Sequence, residues 1–128
     1  MANVTSTQII IDGPRNVVVK AMGVLDTSDV TGIVIVDATA LLLAPPKLKI
    51  MKINYSISDG MNVRLDWDAT TDVPAITLSG QDHIKFERFG GLVNNAGAGR
   101  TGNILLSTLG WSGTKAYSIT LEMRKQGV

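Results

Sequence analysis

Between residues 47 and 69 apolar and polar side chains alternate with a period of two, the period of a strand covered on one face. Leu48 and Ile50 alternate with Lys47 and Lys49. The phase then slips, and Ile53, Tyr55 and Ile57 alternate with Lys52, Asn54 and Ser56. A one-residue slip turns a strand over unless an extra residue absorbs it, which predicts a β-bulge near Met51. Ser58-Asp59-Gly60-Met61 supplies a turn, because Asp-Gly accepts positive φ. The return run carries Val63, Leu65, Trp67 and Ala69 on one face and Asn62, Arg64, Asp66 and Asp68 on the other. The two runs read as a hairpin, with its acidic row opposite Lys47, Lys49 and Lys52.

The same punctuation recurs along the chain. Strands are expected at residues 7–12, 16–25, 32–38, 75–78, 81–89, 103–109 and 115–125, parted by Gly, Pro, Asp and Asn. Ile33-Val34-Ile35-Val36 and Ile104-Leu105-Leu106 are unbroken apolar runs, the pattern of strands covered on both faces. Val, Ile and Thr rival Leu in number, and Glu occurs only at positions 87 and 122, a composition that favours sheet over helix. The expected fold is all-β: a single-domain antiparallel β-sandwich, jelly-roll-like, of eight or nine strands. Residues 1–6 read as a flexible arm and residues 90–102 as a long Gly/Asn-rich loop of the kind that orders against a partner.

Several chemistries are excluded by residue supply. With no cysteine there is no disulfide, thiolate metal site or cysteine nucleophile, and one histidine excludes any site built on two imidazoles. A formal charge of +1, with dispersed basic residues and few aromatics, offers neither a field nor a stacking platform for nucleic acid. No apolar run reaches membrane length, and the N-terminal residues lack a secretory pattern, so synthesis in the cytoplasm of the host cell is expected.

The motifs that survive a first pass fail on context. Gly97-Ala98-Gly99-Arg100-Thr101-Gly102 spells GxGxxG, with Glu122 twenty residues on, but a strand follows where a dinucleotide site needs a helix N-terminus. His83 beside Asp82 supplies one element of a hydrolytic triad and no more. Asp26 and Asp29, or Asp66, Asp68 and Asp72, lack the spacing and distal Glu of a calcium loop. No catalytic, cofactor or metal site is expected.

What remains is apolar surplus. Strand runs apolar on both faces, together with Leu41, Leu42, Leu43, Pro45 and Pro46, exceed what the two inner faces of a small sandwich can bury. That excess points to burial against another chain and to a symmetric homo-oligomer, a trimer or ring being the simplest form. A rival reading is a carbohydrate-binding sandwich using Trp67 or Trp111, with Trp111 in a turn between Gly110 and Ser112.

The runs Gly23-Val24-Leu25-Asp26-Thr27-Ser28-Asp29-Val30 and Val63-Arg64-Leu65-Asp66-Trp67-Asp68-Ala69-Thr70 resemble small virion structural proteins of tailed bacteriophages. Phe89-Gly90-Gly91-Leu92-Val93-Asn94-Asn95-Ala96-Gly97 and Ser118-Ile119-Thr120-Leu121-Glu122-Met123-Arg124-Lys125 continue the resemblance. It implies a non-enzymatic component of the particle: a capsid decoration or cement protein on the shell surface, with the major capsid protein as partner. A head–tail connector or tail protein is the alternative position. On that basis Leu92, Asn94, Asn95 and Arg100 in the long loop join the residues 41–46 and Trp111 as candidate contacts.

Overall fold

The computed structural model describes residues 3–45 and 47–126, with the side chain of Phe89 left out. Among the described residues nine strands form: β1 (Val4–Asp12), β2 (Asn16–Leu25), β3 (Ile33–Val36), β4 (Lys47–Ile57), β5 (Asn62–Trp67), β6 (Val73–Leu78), β7 (Gln81–Lys85), β8 (Ile104–Leu109) and β9 (Lys115–Gln126). They make two antiparallel sheets, one ordered β1-β2-β9-β4-β7 and the other β3-β8-β5-β6. After β2 the chain changes sheet repeatedly, as in a jelly roll.

The core lies between the sheets. From the five-stranded sheet come Val17, Val19, Ala21 and Leu25 on β2, Ile119, Leu121 and Met123 on β9, and Leu48, Ile50, Ile53 and Ile57 on β4. From the other come Val63, Leu65 and Trp67 on β5, Ile104 and Leu106 on β8, and Leu78 on β6. The phase slip in β4 is resolved as its sequence predicts. The register against β9 shifts between Ile50 and Lys52, so both Ile50 and Ile53 point inward. The bulged Met51 carbonyl then accepts a hydrogen bond from Phe86 N at 2.8 Å.

The turn at residues 58–61 forms, with Gly60 at φ 82° and Met61 N donating to Ser58 O at 3.2 Å, but the hairpin does not. β4 lies in one sheet between β9 and β7, and β5 lies in the other between β8 and β6. The turn reverses the chain without deciding whether its arms pair or stack. Stacked, the apolar rows of β4 and β5 face each other across the core. The lysine row consequently never meets the acids of β5. Lys52 stands 3.9 Å from Glu122, and Asp66 is held by Arg64, with Nη2 donating to Oδ2 at 3.1 Å.

Two further expectations change. β8 is buried on both faces at Ile104, Leu105 and Leu106, but β3 is an edge strand and leaves Val34 half exposed. The arm is shorter than its sequence suggests, because residues from Val4 onward already belong to β1. Met1 and Ala2 lie outside the described residues.

Candidate interaction surface

A sandwich has four edge strands, and an unpaired edge invites another chain unless something blocks it. β6 carries Pro74, which has no N–H to offer. β7 carries Asp82, His83 and Lys85, all exposed. β3 has only four residues. β1 has nine, all exposed, and no charged residue before Asp12 at its end. Its only blunting device is a bulge, a register shift between Ile9 and Ile11.

Exposed apolar side chains gather on the side where β1 and β3 run. Ile9, Ile10, Ile11 and Val4 on β1 are between 48% and 66% exposed, and Val34 on β3 is 50% exposed. β1 and β3 are the edges of opposite sheets. An open cleft of about 270 Å³ parts them, lined by Thr5, Ser6 and Thr7, by Ile33, Val34 and Ile35, and by Tyr117.

Leu42 and Leu43 extend the same surface, because a polar clamp ties their turn to the end of β1. The Asp12 carboxylate accepts a hydrogen bond from Leu42 N at 2.9 Å and one from Lys125 Nζ at 2.7 Å. Lys125 Nζ also donates to Leu42 O at 2.6 Å, and its side chain is wholly buried. The Lys125 and Leu42 hydrogen bonds hold the Asp12 carboxyl below its ordinary 3.8. The turn is strained: Leu43 has φ 67° and Ala44 φ 38°, a region costing a non-glycine residue about 1–2 kcal/mol. In this turn Leu42 and Leu43 are 48% and 58% exposed.

Beside β1, on the outer face of the five-stranded sheet, the rung Ser6, Met22, Ser118, Ser56, Gln81 crosses all five strands. With Val4, Val24 and Ala116 it floors a shallow groove of about 410 Å³. Beneath it the Tyr117 ring occupies the space where a side chain at Gly23 would sit, and burial pushes its hydroxyl up to about 12.

The long loop is braced rather than free. Leu92 pairs with Ile50 through two backbone hydrogen bonds of 2.7 and 2.9 Å, and Asn94 is buried with its Oδ1 accepting from Ala96 N. Further on, Ala98 O accepts from Thr70 N, and Thr101 Oγ1 donates to Asp68 Oδ2 at 2.7 Å. A Cβ on Gly99, at φ 77°, would collide with Thr70, so glycine permits this close approach. The loop thus bridges β4 of one sheet and the β5–β6 turn of the other. Its GxGxxG letters serve that packing.

The candidate contacts accordingly separate. Leu42 and Leu43 are exposed, as are Asn95 and Arg100, whose Nη1 donates to Ala96 O at 3.3 Å. Leu41, Pro45 and Asn94 are buried inside this chain, which removes them as outward contacts, and Leu92 is half-buried. Pro46 lies outside the described residues. Trp111 is half-buried, its Nε1 donating to Leu25 O at 2.7 Å and its N–H to Asp29, and Trp67 is core. Trp67 is thereby closed off from any ligand, and Trp111 is held in place by two hydrogen bonds while packing partly against the core. Asp29 also accepts from Thr108, and Asp26 from Thr114. Sequence placed a strand at residues 7–12 without singling it out as a contact surface, and it missed the Asp12–Lys125 clamp; the visible signal was Ile9-Ile10-Ile11, an apolar triplet with no place in a half-buried alternation.

Neither a known protein family nor a curated protein matches the sequence. Among solved structures, one described as "CBM4 structure and function" is similar over 94% of this chain and 89% of that one, at 11% identity and a TM-score of 0.32. A likeness at that level carries no argument about function. No helix among the described residues is long and apolar enough to cross a membrane.

Proposed function

We propose that this chain is a non-enzymatic structural subunit of a phage particle, a decoration protein that stabilises the shell by bridging neighbouring capsid subunits. The observation that carries the reading is the apolar side formed by β1, β3, Leu42 and Leu43. A chain with a filled core that still holds Leu43 outward at positive φ spends stability on a surface. The braced loop presents Asn95 and Arg100 on a rigid support, which suits contact to a shell subunit with little ordering cost. Modest contacts suffice when each is repeated over a lattice.

Copy number in purified virions, by quantitative mass spectrometry, tests the reading. Copies on the order of hundreds support decoration, whereas roughly a dozen or fewer place the chain in a connector or tail ring. Absence from virions overturns the proposal. Within it, Arg100→Ala is expected to lower occupancy on the shell and the temperature at which particles lose their contents. Unchanged occupancy and particle melting would remove Arg100 from the contact.

A further inference from the structure

We infer that β1 is the interface with a second copy of this chain: two β1 strands pair antiparallel across a two-fold axis and join two five-stranded sheets into one of ten strands. The inference rests on the structural-subunit reading and names its partner.

Four observations select this occupant. The other three edges are blocked by a proline, by charges or by shortness, so sheet extension is open at β1 alone among the four. Residues 4–11 carry no charge of either sign, so two identical strands can lie side by side without placing like charges opposite. Asp12, the first charge, is already paired with Lys125. Lastly, the strand is long enough for a modest isologous contact. Its regular stretch, residues 4–9, is about 20 Å long, and contact along it by side chains of both faces, about 20 Å across, covers roughly 400 Å² per partner. That is the size of a weak, reversible interface, to which Leu42 and Leu43 add.

The geometry constrains the axis. A two-fold perpendicular to the sheet relates residues on the same face, and β1 is regular from residue 4 to residue 9, ahead of its bulge. The axis therefore passes near Ser6 or Thr7. Around it, Val4 and Ile9 of each copy flank the seam, and the clefts between β1 and β3 meet across it. A two-fold dimer replaces the trimer expected from sequence as the solution form. An isologous interface closes on itself and leaves Arg100 and Asn95 free for a shell subunit.

Light scattering coupled to size exclusion, on the purified full chain, measures this directly. The expected mass is twice the 13.6 kDa of one chain. Thr7→Lys puts two like charges near the axis and is expected to halve that mass while the circular dichroism spectrum stays that of the parent. Mixing Thr7→Lys with Thr7→Glu chains is expected to restore the dimer as a heterodimer, which a misfolded variant could not do. His83→Lys, on the opposite edge, should leave the dimer intact. A parent chain that is monomeric or trimeric overturns the inference, as does a dimer indifferent to Thr7→Lys. A monomer abundant on virions would sink the pairing and leave the decoration role, and a β1 dimer absent from virions would do the reverse.

Discussion

Asp12 and Lys125 are one clamp with unequal halves. Lys125 Nζ is wholly buried and the Asp12 side chain is a quarter exposed, so removing the acid strands a buried ammonium while removing the lysine frees a carboxylate that water can reach. Asp12→Ala is therefore expected to cost about 3 kcal/mol in urea unfolding, and Lys125→Met nearer 1 kcal/mol. The Asp12 carboxyl is held below 3.8, so its contribution is complete above that pH and is lost as pH falls through the lower folded value. Tyr117 acts at the other end. Its neutral form is favoured by burial up to about 12, so its contribution is whole below pH 10.0 and fades as pH rises towards 12. An acid-to-alkaline melting series should show both flanks, with Lys125→Met flattening the acid one. Gly23→Ala pushes a methyl into the Tyr117 ring and should lower stability by about 1–3 kcal/mol.

At the scale of elements, the turn after β3 and the edge strand β1 put surface ahead of stability. Leu43→Gly relieves a positive φ that leucine tolerates poorly, and deletes a half-exposed side chain. It is expected to raise the melting temperature by a few degrees, a gain of about 1 kcal/mol, while weakening self-association. A substitution that lowered both would place Leu43 in the core's support instead. Strand positions were largely legible: the bulge at Met51, the alternation of β9 and the buried run of β8 follow from period and phase. β1 was misjudged at its start because Val4, Thr5 and Ser6 show no apolar alternation; they are strand because β2 supplies hydrogen-bond partners. The Gly/Asn loop looked free for the same kind of reason, since its anchors at Ile50, Asp68 and Thr70 are distant in sequence.

For the whole molecule, Trp67 sits where the two sheets press together, and Trp67→Ala should cost about 3–5 kcal/mol through the cavity it leaves. That is a large share of the roughly 5–15 kcal/mol by which domains are stable. The residue order alone determined that the chain is β, where its strands fall, that β4 must bulge, and that no thiol or paired-imidazole chemistry is available. These depend on side-chain shape, period and residue supply, which are local. Tertiary structure alone decided that β4 and β5 stack instead of pairing, that Leu41, Pro45 and Asn94 turn inward, and that β1 stays open while the other edges are blocked. Those outcomes depend on which apolar faces compete for the same core. That competition is settled only when every strand is present, because a strand's period fixes which side chains share a face and says nothing about what covers it.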